Sequence, residues 1–217
     1  MAKAGSPSRV MHGGATRSVE TRRLLVEAAI ATLRADGYAG ASARAIAERA
    51  GSNQGLIFYH FGSVANLLLA ALDAVSAERL ERYGATVDQA GSLKDLVEAA
   101  TGVFREDLDA GYVTVLVEMI AGAAATPGLG PEVAARIGPW TEFTQRAIEA
   151  VLKDSPLGSV LPSGDVAYGI VALYLGLEML SHLDGERAPA LALFAHAQQL
   201  AGLFSMLGGA EPTKDAT

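Results

Sequence analysis

None of the 217 residues is cysteine, which removes disulfides, thiolate nucleophiles and cysteine-ligated metals from consideration. Aromatic residues make up only 6% of the chain and β-branched residues are sparse, while alanine and leucine dominate. No segment alternates apolar and polar residues for long enough to form a half-buried strand, so the composition implies an all-α protein. No proline interrupts the run between Pro7 and Pro127. Catalytic signatures are missing too: there is no Gly-x-Ser-x-Gly, no His-Glu-x-x-His and no phosphate loop. Gly128-x-Gly130 has no strand before it and reads as a turn. His60 has no second histidine, cysteine or acid at ligand spacing, and His182 and His196 fall on apolar helical stretches. The expectation is no enzyme, no metal and no cofactor. The opening Met-Ala-Lys-Ala-Gly-Ser-Pro-Ser lacks the apolar centre of a signal peptide, which points to the cytoplasm.

Half of the residues are hydrophobic, enough for a sizeable core. The net charge of −7 is unevenly spread: residues 1–62 carry eight bases and four acids, a local +4, and the remainder carries −11. Binding a phosphate backbone needs a positive face rather than a basic whole, so this asymmetry admits nucleic acid at the N-terminal end. Ala188–Ala210 runs for 23 residues without a formal charge, long enough to span a bilayer. Pro189, His196 and Gln198-Gln199 within it favour a buried helix of a soluble protein instead.

Residues 1–18, rich in Gly, Ser, Thr and Arg without apolar periodicity, are expected to form a flexible basic arm. A helix follows from about Val19 to Asp36, with Leu25, Ala29, Ile30 and Leu33 on one face and Gly37 placed as a left-handed C-terminal cap. Ser42 is placed to cap a helix through Ala50, Gly51-Ser52 to turn, and Asn53 to cap a helix through about His60. Ser63 opens a longer helix whose stripe is Leu67, Leu68, Ala71, Leu72, Val75 and Leu80. Helices are expected over Ser92–Ala110 and Tyr112–Ala125, a loop over Thr126–Pro131, and a helix over about 131–153 whose candidate break is Gly138-Pro139. After a loop over 154–163 come two helices, about 165–183 and 189–207, then a tail over 208–217. These last two are apolar around most of their circumference and need cover on several sides; a second subunit pairing them across a two-fold axis supplies it as a four-helix bundle.

The 42–61 segment, two short helices joined at a glycine, has the form of a helix-turn-helix, whose second helix lies in a DNA major groove. Ala45, Ile46 and Ala50 form a small apolar ridge that lets the helices cross closely, and Gly51 supplies the positive φ of the turn. Ile57 and Phe61 are the expected anchors, leaving Asn53, Gln54, Leu56, Phe58 and Tyr59 towards the groove, with Arg44 in reach of a phosphate or groove edge. His60 is read as bracing its helix or touching a phosphate.

Over about 50 residues the chain resembles the tetracycline-repressor (TetR) family of bacterial regulators. The carriers are Thr21-Arg22, Asp36-Gly37-Tyr38, Ser42-x-Arg44-x-Ile46-Ala47-x-x-Ala50-Gly51, Gly55-x-Ile57-Phe58-Tyr59-His60-Phe61-Gly62-Ser63 and Leu67-Leu68. The resemblance implies an all-α homodimer, with a DNA-binding domain over 19–66 and a helical ligand-binding and dimerisation domain over 67–207. It also implies a palindromic double-stranded DNA operator, contacted through Ser42, Arg44, Ser52, Asn53, Gln54, Gly55, Phe58, Tyr59 and His60, and a small-molecule effector. The chain departs from the family at Gln54 and Val64, where lysines are common; lost phosphate cations lower affinity and flatten its salt dependence. Gln54 can instead pair bidentately with an adenine edge. An effector cavity among the middle helices draws its candidates from Phe104, Tyr112, Leu116, Glu118, Met119, Trp140, Phe143, Tyr174 and Glu178. The two acids, if buried, need an internal base, a backbone donor or a cationic ligand. The alternative reading is a helical small-molecule- or partner-binding protein with weak, non-selective DNA binding.

Overall fold

A computed structural model describes residues 11–208 other than 154, 156, 157 and 159, without the side chains of 11–15 and 204–208. The beginning of the expected arm, most of the expected tail and part of the 154–163 loop lie outside the described residues. Among the described residues there are ten helices and no strand, in keeping with the all-α expectation: α1 (Met11–Gly40), α2 (Ala43–Arg49), α3 (Gln54–Phe61), α4 (Val64–Asp88), α5 (Leu93–Ala110), α6 (Tyr112–Ala125), α7 (Leu129–Ala135), α8 (Gly138–Leu152), α9 (Ser163–Asp184) and α10 (Ala188–Gly208). The chain divides into two compact units: one holds the chain up to Ala74 together with Glu118–Gly130, the other Val75–Val117 and the chain from Pro131 on.

The first unit is built on α1. Leu25, Ala29 and Leu33 recur on one face of this helix, and all three are fully buried, as are Ile46 of α2, Ile57 of α3 and Leu67 of α4. Two expectations about α1 need correction. It begins at Met11, so the second half of the expected flexible arm is helical. It also does not stop at Gly37. That residue adopts φ 69° and ψ −178°, an extended mirror-image conformation rather than a left-handed helical cap, and kinks the chain, which resumes helical character to Gly40. Glu118 explains the kink: its Oε2 accepts the Tyr38 N–H at 2.7 Å, and a Cβ on Gly37 would lie 2.8 Å from that oxygen. The Tyr38 ring then lies flat on Gly122, and its hydroxyl meets Thr126 Oγ1 at 3.1 Å.

The second unit is a helical bundle in which α5 packs along α10 and α8 along α9. Ser92 caps α5 by accepting the Asp95 N–H, and Gly111 ends it in the left-handed conformation. Pro139 sits in the first turn of α8, so the 131–153 stretch is interrupted where its glycine–proline pair stands. α7 begins at Leu129, inside the expected Thr126–Pro131 loop, with buried Leu129 and Val133 one turn apart. In the single chain, α9 and α10 leave a broad apolar face in solvent: Tyr168, Leu173, Leu180, Leu183, Leu200 and Leu203 are all more than half exposed. Among the described residues, α9 is long and apolar enough to cross a membrane by length and composition; part of the charge-free 188–210 stretch lies outside the described residues.

Candidate nucleic-acid interface

The α2–α3 pair is held together by short local interactions. Ser42 Oγ accepts the Ala45 N–H at 3.2 Å to cap α2. After Ala50 the chain turns at Gly51 (φ 58°), with Ser52 N–H returning to the Ala47 carbonyl at 2.9 Å. Asn53 then caps α3, its Oδ1 taking the Gly55 N–H at 2.7 Å. A Cβ on Gly55 would stand 3.2 Å from that same oxygen, so a side chain there would crowd the cap. Ile57 and Phe61 face the core as expected, while Asn53, Gln54, Leu56, Phe58 and Tyr59 are exposed, Tyr59 at 79% and Phe58 at 51%. Arg44 is exposed in the first turn of α2, and the half-buried His60 presents its ring edge-on to Tyr59 at 4.9 Å.

The far end of α3 is braced by two side chains whose part the sequence did not reveal. Arg22 Nη1 donates to the His60 carbonyl at 3.1 Å while its guanidinium lies 4.3 Å above the Phe61 ring. Asn66 Nδ2 donates to the Phe61 carbonyl at 2.8 Å. A cation at a helix C-terminus satisfies the helix dipole as well as a carbonyl. Thr21-Arg22 was legible as a motif, but the 38-residue reach of the Arg22 bond was not. Not every N-terminal base is available to a phosphate: Arg23 is paired with Glu20 and Glu27, which raise its pKa, and Arg49 with Asp36.

Of the nine cavity candidates, Tyr112, Trp140 and Glu178 surround Arg79 in the second unit, with Phe143 beside Trp140 and the Phe104–Tyr174 pair next to its partner Asp107. Glu118 and Met119 belong to the first unit, where the Glu118 carboxylate is already engaged by Tyr38. In the second unit Phe104 is fully buried against Tyr174 and against Phe194 of α10. Tyr112 donates to Glu78, Trp140 donates to Ser76 and stacks edge-on with Phe143, and Leu116 is half-buried on α6. Glu178 is buried beside Arg79, the internal base foreseen as one of its possible partners. The spacing of Arg79 from Leu72 and Val75 puts it on the buried face of α4, a signal the sequence carries. A separate cleft of about 340 Å³ opens between α4 and α5, walled by Tyr83, Gly102 and Val103 and rimmed by Asp95, Glu98 and Glu106; none of the nine candidates lines it.

Residues 25–71 match the sequence profile of bacterial regulatory proteins of the tetR family. An uncharacterised HTH-type transcriptional regulator of Mycobacterium tuberculosis (strain ATCC 25618 / H37Rv) is 32% identical over 110 residues, covering 51% of this chain and 56% of the relative. The chain thus spans about half the length of the curated relatives it matches. Among solved structures, a Rhodococcus sp. protein assigned to the TetR family of transcriptional regulators superposes with a TM-score of 0.69 at 20% identity, over 84% of this chain and 98% of the other. The regulator FadR of Bacillus subtilis, solved in complex with stearoyl-CoA, does so at 0.67 and 13% identity, over 82% and 96%. At such identities the structural likeness speaks for the fold.

Proposed function

We propose that the chain, whose residues 25–71 match the profile of bacterial regulatory proteins of the tetR family, is a TetR-type, ligand-responsive, DNA-binding transcriptional regulator of the cytoplasm. Its simplest form is a repressor that a small molecule releases from its operator. The observation that carries this is the outer face of α3, capped at Asn53, braced at its end by Arg22 and Asn66, and presenting Gln54, Phe58 and Tyr59 to solvent. Residues 19–66 act as the reading head, with α3 in the major groove, Gln54 on a base edge, and Arg44, Tyr59 and His60 on the backbone. The exposed apolar faces of α9 and α10 support a homodimer through these helices, setting two heads at half-sites about 34–36 Å apart, or a multiple of that.

Residues 67–207 supply dimerisation and effector binding; the stearoyl-CoA complex of FadR is the precedent for a ligand in this fold. α4 contributes to both units, so an effector that repacks its second half is felt by the first, and effector and operator affinities are reciprocally coupled. A gel shift with the DNA upstream of the chain's own coding sequence, at several salt concentrations, tests the proposal. A complex that survives scrambled competitor is expected; none but non-selective binding contradicts it and favours the reading as a ligand- or partner-binding helical protein. A thermal-shift screen, followed by release of DNA, identifies the effector.

A further inference from the structure

Three ionisable side chains meet in the interior of the second unit. Arg79 of α4, Asp107 of α5 and Glu178 of α9 are 7%, 0% and 1% exposed in their side chains. Arg79 Nε donates to Asp107 Oδ1 at 2.9 Å, its Nη2 meets Asp107 Oδ2, and the same Nη2 reaches Glu178 Oε1 at 3.3 Å. Among the described residues Arg79 is the base paired with either carboxylate. Fully ionised, the group would bury one uncompensated negative charge, which is costly in a medium of low polarizability.

The donors are unequally shared. Asp107 receives both Arg79 contacts, the Tyr83 hydroxyl at 2.8 Å and the Tyr174 hydroxyl at 3.1 Å. Glu178 receives the one longer bond, and its Oε2 is buried with no partner. The glutamate is therefore the member whose negative charge is least compensated. The groups acting on Glu178 are Arg79 on α4, Asp107 on α5 and Tyr174 on its own helix, with Tyr83 on the far side of Asp107 and the Tyr112 and Trp140 rings 6.0 and 4.5 Å from the guanidinium. α10 adds the apolar ring of Phe194 against Tyr174.

We propose that this cluster is a proton-operated lock, in which a single proton carried by Glu178 holds α4, α5 and α9 together and its loss loosens them. A proton is the occupant, rather than a larger cation, because the three side chains are already closed off from solvent. The titration agrees in direction. Burial, above all, pushes the Glu178 carboxyl up to about 8; the Arg79 charge and the neighbouring Tyr174 oppose this, while Asp107 adds to it. A raised carboxyl means that the folded chain holds a proton the unfolded chain has released. The stability it contributes is complete below the ordinary carboxylate range and is lost as pH rises towards about 8. The lock concerns the second unit alone and stands whether or not the chain binds DNA.

The test is thermal unfolding of the full chain and of Glu178→Gln from about pH 6 to about pH 9, with infrared detection of a protonated carboxylic acid at neutral pH. The melting temperature of the parent should fall across that range, that of the neutral-acid mimic should stay nearly level, and the acid carbonyl band should vanish in the variant. Parallel pH profiles, or no such band in the parent at neutral pH, overturn the proposal. Should Glu178→Gln fail to fold, the presence or absence of the band in the parent alone decides.

Discussion

Replacing Gly122 by alanine pits two effects of opposite sign against each other. Gly122 lies within α6, where exchanging glycine for alanine ordinarily stabilises by about 1 kcal/mol. A Cβ here would stand 2.3 Å from Cδ2 of Tyr38 and 2.4 Å from its Cε2 and Cγ. The ring has little freedom to withdraw, because its residue is tied by the N–H bond to Glu118 and the hydroxyl contact with Thr126. Overpacking of this kind costs about 1–3 kcal/mol. Gly122→Ala should therefore destabilise by up to roughly 2 kcal/mol, several degrees in melting temperature for a chain of this size. In a Tyr38→Ala background the same substitution should become stabilising by about 1 kcal/mol, since helix propensity is all that remains. Gly84→Ala in α4, where an added Cβ meets nothing within 4 Å, is the control and should stabilise by about 1 kcal/mol in either background. Thermal and urea unfolding of the four Tyr38/Gly122 combinations measures the coupling. A stabilising Gly122→Ala with Tyr38 intact would refute the claim that Tyr38 packs on this glycine.

Other expected outcomes follow from the same geometry. Asn53→Ala removes the α3 cap and should cost about 0.5–2 kcal/mol in unfolding, whereas Asn53→Asp, which keeps an acceptor, should cost little. Arg79→Met leaves the buried Asp107 side chain without its base and should cost about 3–5 kcal/mol in urea denaturation at neutral pH; adding Glu178→Gln should recover little of it, because Glu178 already carries its proton there. Leu180→Glu with Leu183→Glu places charges on the exposed face of α9 and should convert a dimer to a folded monomer in sedimentation.

Much of this molecule was legible because it is local. Ser42, Asn53 and Ser92 accept the N–H groups their spacing indicated, Gly51 takes the positive φ of the turn, and Ile57 and Phe61 anchor α3. What escaped is non-local. Gly37 looked like a helix stop, and only the Glu118 carboxylate, 80 residues from Tyr38, turns it into a kink. The same bond occupies a side chain that read as a ligand handle. Glu178 looked like an acid in search of a partner, and the partner lies 99 residues away on α4. Contacts of such range depend on how helices pack, which periodicity within one helix does not encode.

The most direct measurement of DNA reading by α3 is fluorescence anisotropy with an operator duplex and a scrambled duplex over a salt series, for the parent, Arg44→Ala and Gln54→Ala. Arg44→Ala should weaken both duplexes alike and lower the salt slope by about 1, as expected for one lost phosphate contact. Gln54→Ala should weaken the operator by about 1–3 kcal/mol while leaving the scrambled duplex nearly unchanged. Equal losses on both duplexes for Gln54→Ala, or a parent that does not distinguish them, would contradict sequence reading by this helix.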